Sequence, residues 1–199
     1  SSFALESRSR DGAAGVWQFM PASAAEFMKF DSINRIDERI SPLKSTVAAG
    51  RMLKRNFSIL GNWALATTAY NHGVRGLPRV PRGSRDHGAG DPAELAKIWR
   101  FLAPSTSRLG FASRNYYSEF LAVLYSVSYR ELSYGLPPDP VGPLHSIQFE
   151  RLKKPMRATQ IAKAMRISLG EFRLLNPDIE NLMQPIPRGV SIALPARKD

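Results

Sequence analysis

The sequence predicts a mainly α fold followed by a small α+β module, and three observations carry that reading. Apolar residues recur at helical spacing through the first two-thirds of the chain. The stretch GLPPDPVGP at 135–143 cannot continue a helix and reads as a semi-rigid linker. Beyond it the pattern becomes strand, helix, helix, strand within some fifty residues. The expected organisation is therefore a helical domain over 1–134, a Pro/Gly-rich linker over 135–145 and a βααβ module over 146–199. A chain of 199 residues has room for one good core plus a modest second one.

The elements follow in order. Ser41-Pro42 is a start signal, an N-cap followed by Pro in the first turn, and Leu43, Val47, Met52, Leu53, Phe57 and Leu60 then supply an apolar stripe up to Gly61. A second helix runs from Trp63 to about Asn71 and stops at Gly73. Asp91-Pro92 opens a third, with Leu95, Ile98, Trp99 and Leu102 on one side. The longest helix is expected from about Ser113 to Tyr134, with Tyr117, Phe120, Leu121, Leu124 and Val127 as its apolar face. In the last module SIQFERL alternates like a strand and RATQIAKAM is a short amphipathic helix. Ser168 and Glu171 form a capping box for LGEFRLLN, and VSIALP reads as a closing strand.

Composition bounds the function. Hydrophobic residues make up 43% of the chain, which is a globular composition. The formal charge of +11 predicts attraction to polyanions such as nucleic acid, anionic lipid or an acidic wall polymer. The basic residues are dispersed and no nucleic-acid-reading motif accompanies them, so no nucleic acid partner is expected. The absence of Cys excludes disulfides, thiolate metal sites and a Cys nucleophile. His72, His87 and His145 have no metal-ligand spacing, so neither metal nor cofactor is expected.

The densest chemistry lies in GAAGVWQFMP, residues 12–21. Gly12 and Gly15 let backbone come close to a ligand, and Gln18 sets one amide among Trp17, Phe19 and Met20. Two further stretches stand out, ATTAYNHG with Tyr70 and Asn71, and GFASRNYYSEFLA with Tyr116. In order and register these three stretches resemble the goose-lysozyme-like catalytic domain of lytic transglycosylases, the family 23 glycoside hydrolases, and within that group the membrane-bound D type. Ser1, Phe3, Ser9, Gly12, Ala13, Gly15, Val16, Trp17, Gln18, Met20 and Pro21 match the family's opening motif.

The resemblance implies a lysozyme-like helical domain that cleaves the β-1,4 bond between N-acetylmuramic acid and N-acetylglucosamine in peptidoglycan, with 1,6-anhydro ends. It implies Ser9, Gln18, Met20, Tyr70, Asn71 and Tyr116 as substrate contacts and Trp17 as a cleft wall. The family's acid/base glutamate falls immediately before Ser1, so no catalytic residue is expected within the chain and the chain alone is expected to be inactive. Glu6 is the nearest substitute, with Asp11 behind it. The tail over 146–195 is similar to a degenerate LysM module, its Gly-Asp-Thr replaced by Lys154-Pro155-Met156. The expected partner is the peptidoglycan glycan strand, met by a monomer in the bacterial envelope or outside the cell, with membrane association through a preceding segment. Two alternatives stay open: a goose-type hydrolase of the same bond, and a non-catalytic peptidoglycan binder.

Overall fold

The computed structural model describes residues 4–79, 92–103, 109–135 and 146–196. Its elements run α1 (Pro21–Ala24), β1 (Phe30–Asp31), β2 (Ile36–Asp37), α2 (Pro42–Leu60), α3 (Trp63–His72), α4 (Pro92–Leu102), α5 (Phe111–Ser128), α6 (Arg130–Tyr134), β3 (Ile147–Arg151), α7 (Ala158–Met165), α8 (Leu169–Leu175) and β4 (Ser191–Pro195). Among the described residues the fold is mainly α, with two antiparallel strand pairs, β1 with β2 and β3 with β4. This is the fold class that the sequence predicts. Contacts group residues 1–50 with 141–199 as one compact unit and residues 51–140 as another. The expected linker lies outside the described residues except for Gly135, the left-handed C-cap of α6.

In the first unit, β3 and β4 pair from Ile147 opposite Pro195 to Arg151 opposite Ser191. The capping box forms as predicted, with the Ser168 amide donating to Glu171 Oε2 at 2.7 Å and the Glu171 amide to Ser168 Oγ at 3.1 Å. Asn176, in the Leu-Asn-Pro that ends α8, is fully buried and exchanges two hydrogen bonds with Ala193, so the helix end is tied to β4. The core joins Leu152, Ile161, Phe172, Ile179, Ile186, Val190, Ile192 and Leu194, and it also takes in Ile36 from β2. The tail therefore shares its core with the N-terminal segment. Ile36 bridges Ile179, and the Asp37 amide donates to the Asp178 carbonyl at 3.0 Å. Lys44 Nζ reaches Asp178 Oδ2 at 2.6 Å across a sequence separation of 134 residues.

The second unit is built on α3, whose Asn62 N-cap accepts from the amides of Ala64 and Leu65. Its core contains Leu60, Leu65, Ala69, Leu77, Ile98, Leu102 and Leu109. Two helix expectations change here. The helix expected from Ser113 to Tyr134 breaks at Tyr129 (φ −115°, ψ 33°) into α5 and α6. Its packed side is centred on Ser113, whose small side chain lets α5 approach α3, while Phe120, Leu124 and Val127 are 45%, 49% and 64% exposed. In α2 the buried positions are Lys44, Ser45, Ala48, Ala49, Met52, Asn56 and Leu60, and the expected Val47 is exposed. Small and polar side chains thus take much of the buried face, beside Met52 and Leu60 of the expected stripe.

Candidate active site

Residues 12–19 form a tight loop with a backbone hairpin at its centre. The amides of Ala14 and Phe19 exchange hydrogen bonds with each other's carbonyls at 3.1 Å, and the Gly15 amide donates to the Ser7 carbonyl at 2.9 Å. The Gln18 amide closes the turn onto the Gly15 carbonyl at 3.1 Å. The turn needs φ of +75° at Gly15 and +49° at Gln18. Gly15 is demanded twice over, because a Cβ there would lie 1.8 Å from the Arg39 carbonyl oxygen.

Gln18 is half-buried, and its Nε2 donates to the carbonyls of Gly15 at 2.8 Å and Ser7 at 3.3 Å. Two carbonyl partners fix which way the amide points, since only its NH₂ can donate. The amide oxygen accepts from no described residue and stays available as an acceptor. Met20 is 40% exposed at the N-cap of α1. Trp17 is half-buried and tethered by its indole N–H to Thr46 Oγ1 at 2.8 Å. Ser9 is exposed, and its hydroxyl accepts from the Ala13 amide at 3.0 Å, which braces the loop entrance.

One level below the loop lie charges that the sequence reading passed over. Arg39 and Asp37 are nearly inaccessible, with side chains 4% and 6% exposed. Arg39 Nε donates to Asp37 Oδ1 and Nη2 to Asp37 Oδ2, both at 2.9 Å. Burial pushes the Asp37 carboxyl up, but the hydrogen bonds and charge of Arg39, with Arg8 behind it, outweigh that and hold it below the usual value. Asp37, Glu38 and Arg39 adjoin in sequence, but nothing local marks them, because the carbonyls that Arg39 meets lie 20 and 27 residues away.

The second unit carries the other predicted residues. Tyr70 and Tyr116 lie nearly parallel, 12° between planes and 6.5 Å between centroids. Burial, with a smaller contribution from Tyr116, raises the Tyr70 hydroxyl far above its ordinary value; burial followed by Glu119 raises Tyr116. Asn71 is exposed, and its Oδ1 accepts from Ser113 Oγ at 2.7 Å. The structure thus brings Ser9, Trp17, Gln18 and Met20 together in one unit and Tyr70, Asn71 and Tyr116 together in the other.

Ser1 and Phe3 lie outside the described residues. Glu6 is exposed and lines a separate surface cleft of about 370 Å³, with Arg8, Ile40, Arg173, Asp178 and Glu180. None of Ser9, Trp17, Gln18 or Met20 lines that cleft.

The loop and the sequence around it define a class. Residues 1–88 match the family model of the Transglycosylase SLT domain, so the resemblance carried by the loop and by Tyr70 and Asn71 is borne out over that stretch. Similar relatives are two proteins named membrane-bound lytic murein transglycosylase D, from Escherichia coli strain K12 and from Escherichia coli O6:H1. Each is 23% identical over 181 residues, which is 90% of this chain and 37% of the relative. The chain thus spans little more than a third of the length of the relatives it matches.

Proposed function

We propose that this chain is the peptidoglycan-cleaving part of a lytic transglycosylase of the bacterial envelope. The observation that carries the reading is Gln18, an amide fixed by two backbone carbonyls with its oxygen left as an acceptor, inside a matched transglycosylase domain. That oxygen would accept the N–H of an acetamido group or a sugar hydroxyl. Met20 and Trp17 supply apolar surface beside it, and Tyr70 and Tyr116 supply near-parallel rings on which a sugar face can rest.

Cleavage needs an acid that stays protonated at the glycosidic oxygen. By the register of the resemblance that acid is the glutamate position immediately before Ser1. It protonates the leaving oxygen and then takes the proton of the muramic 6-hydroxyl, so the ring closes to a 1,6-anhydro end without water. A hydrolase with two carboxylates needs the second at a defined separation. The buried carboxylates of the loop unit are already engaged, Asp37 by Arg39 and Arg8, Glu38 and Asp178 by Lys44, which favours the single-carboxylate route.

We assign the tail a LysM-like role in holding the glycan strand, supported by its β3-α7-α8-β4 order. Cleavage would then belong to 1–134 and wall affinity to 146–199. No helix among the described residues is long and apolar enough to cross a membrane. Membrane association through a preceding segment is part of the same proposal, and it agrees with the relatives' name.

The test is digestion of purified sacculi by the full-length protein, with mass spectrometry of the products. Anhydro ends that vanish when the acid Glu is replaced by Gln support the proposal. Reducing ends would make the protein a hydrolase, and retention on sacculi without cleavage would make it a binder. In the same assay Gln18→Ala should lower turnover about 10²-fold with little change in melting, the size expected for one misdirected contact at the reacting centre.

A further inference from the structure

We propose that Arg39, oriented by Asp37, is the positioning residue of the substrate loop, acting through the loop backbone on Gln18. The inference rests on the peptidoglycan-cleaving reading of that loop. Arg39 spends one guanidinium edge on Asp37 and turns the rest toward residues 12–19. Its Nη1 donates to the Gly12 carbonyl at 2.8 Å and to the Phe19 carbonyl at 3.2 Å, so one group pins both ends of the loop. The Phe19 carbonyl also accepts from Ala14, which makes it the junction between clamp and hairpin.

Main chain completes the clamp. The Arg39 carbonyl occupies the space that a side chain at Gly15 would need, and Gly15 carries the carbonyl that receives the Gln18 amide group. Residue 39 therefore touches the loop at Gly12, Gly15 and Phe19, and the orientation of Gln18 depends on all three staying in place. Its guanidinium also lies over the Phe30 ring, 5.3 Å from the centroid. Asp37 is held by the Asp178 carbonyl at its amide and by Arg8 Nη1 at Oδ2, 3.2 Å away, so the clamp is anchored at its rear.

The geometry requires a planar fork. Four hydrogen bonds leave Arg39 in two directions, toward a carboxylate and toward two carbonyls. A lysine ammonium carries the charge but cannot span both sets.

The experiment is a double-mutant cycle in the full-length protein: Arg39→Lys, Gln18→Ala and the pair, each assayed for kcat and KM per folded molecule. If Arg39 acts through Gln18, Arg39→Lys lowers kcat by about 10²-fold in the parent and by less than about threefold in the Gln18→Ala background. Losses that multiply would overturn the proposal and leave Arg39 a purely structural residue. Should Arg39→Lys fold poorly, Asp37→Asn takes its place, with amide exchange at Gly15 and Gln18 as the second readout. Faster exchange confined to those amides, with a kcat loss that does not multiply with Gln18→Ala, supports the clamp; a global rise in exchange overturns it. If the parent binds glycan without cutting it, the functional reading fails. The same cycle on the Kd for a chitin oligosaccharide then decides the fate of Arg39 by the same criterion.

Discussion

Replacing Gly15 with alanine is the sharpest perturbation the loop offers. A Cβ at that position would lie 1.8 Å from the Arg39 carbonyl oxygen and 2.8 Å from its carbon, where ordinary contact begins at 3.4 Å. The gap must open by about 1.6 Å, the difference between 3.4 and 1.8, and both partners are main chain. No rotamer can relieve it. The residue must also keep φ at +75°, which costs a non-glycine residue roughly 1–2 kcal/mol. Opening the gap pulls the loop from Arg39 and breaks two hydrogen bonds from a charged donor, each contributing about 1.5–3 kcal/mol.

The expected loss is therefore at least about 4 kcal/mol, in the range of exceptional single substitutions. For a chain of this size each kcal/mol shifts the melting temperature by about 2–4 °C, so Gly15→Ala should melt roughly 8–16 °C lower. Gly12→Ala is the internal control. Its φ is +88°, but the nearest atom to its Cβ would be Pro21 Cγ at 3.8 Å. It carries only the backbone strain, roughly 1–2 kcal/mol. Calorimetry or circular dichroism melts of both variants at one pH make the comparison. If Gly15→Ala melts no lower than Gly12→Ala, the loop does not rest on the Arg39 backbone and the clamp loses its main-chain half.

Two further predictions follow from the same structure. Removal of 144–199 should destabilise the residues left behind, because it uncovers Ile36 and takes Asp178 from Lys44, leaving that ammonium only Glu38 at 3.5 Å among its charged partners. Limited proteolysis should then cut within residues 4–50, and a truncated chain that melts and resists protease like the parent would show that the tail is only tethered. On alkaline titration followed by tyrosinate absorbance, the Tyr70 phenol should ionise well above 10 and that late step should disappear in Tyr70→Phe. Because its folded value is raised, the stability it contributes is complete below pH 10 and is lost as pH climbs through the folded value, so a Tyr70 step near 10 refutes its burial against Tyr116.

What the sequence made legible was local. Helix α3 could be read because Gly73 stops it, and α8 because Ser168 and Glu171 cap each other. Gln18 was marked by its apolar neighbours and by the family motif, although not which end of its amide would face outward; that depends on the carbonyls of Ser7 and Gly15. The misreadings share a cause. In α2 the buried face includes Lys44 and Asn56, which periodicity counts as polar. Each is buried because a distant partner satisfies it, Asp178 for Lys44 and the Ala66 carbonyl for Asn56. Arg39 was invisible for the same reason, since its partners Gly12 and Phe19 lie 27 and 20 residues away.

The joint between tail and loop works through backbone and apolar contact more than through charge. Lys44 is one ammonium facing two buried carboxylates, Asp178 at 2.6 Å and Glu38 at 3.5 Å. Glu38 has a second partner, the Lys29 amide, whereas Asp178 Oδ1 is buried with none. Burial, with Glu38 adding to it, consequently raises the Asp178 carboxyl in spite of Lys44. Taking two charges out of water offsets much of what their attraction returns, so this buried pair is a weak source of adhesion. The adhesion lies in Ile36 within the tail core and in the Asp178 carbonyl, which receives the Asp37 amide. That carbonyl sits at the rear of the clamp: it holds Asp37, Asp37 holds Arg39, and Arg39 holds the ends of the loop that carries Gln18. The side chain of residue 178 can therefore change while its backbone still serves the loop, so the charge pair and the loop support are separable parts of one joint.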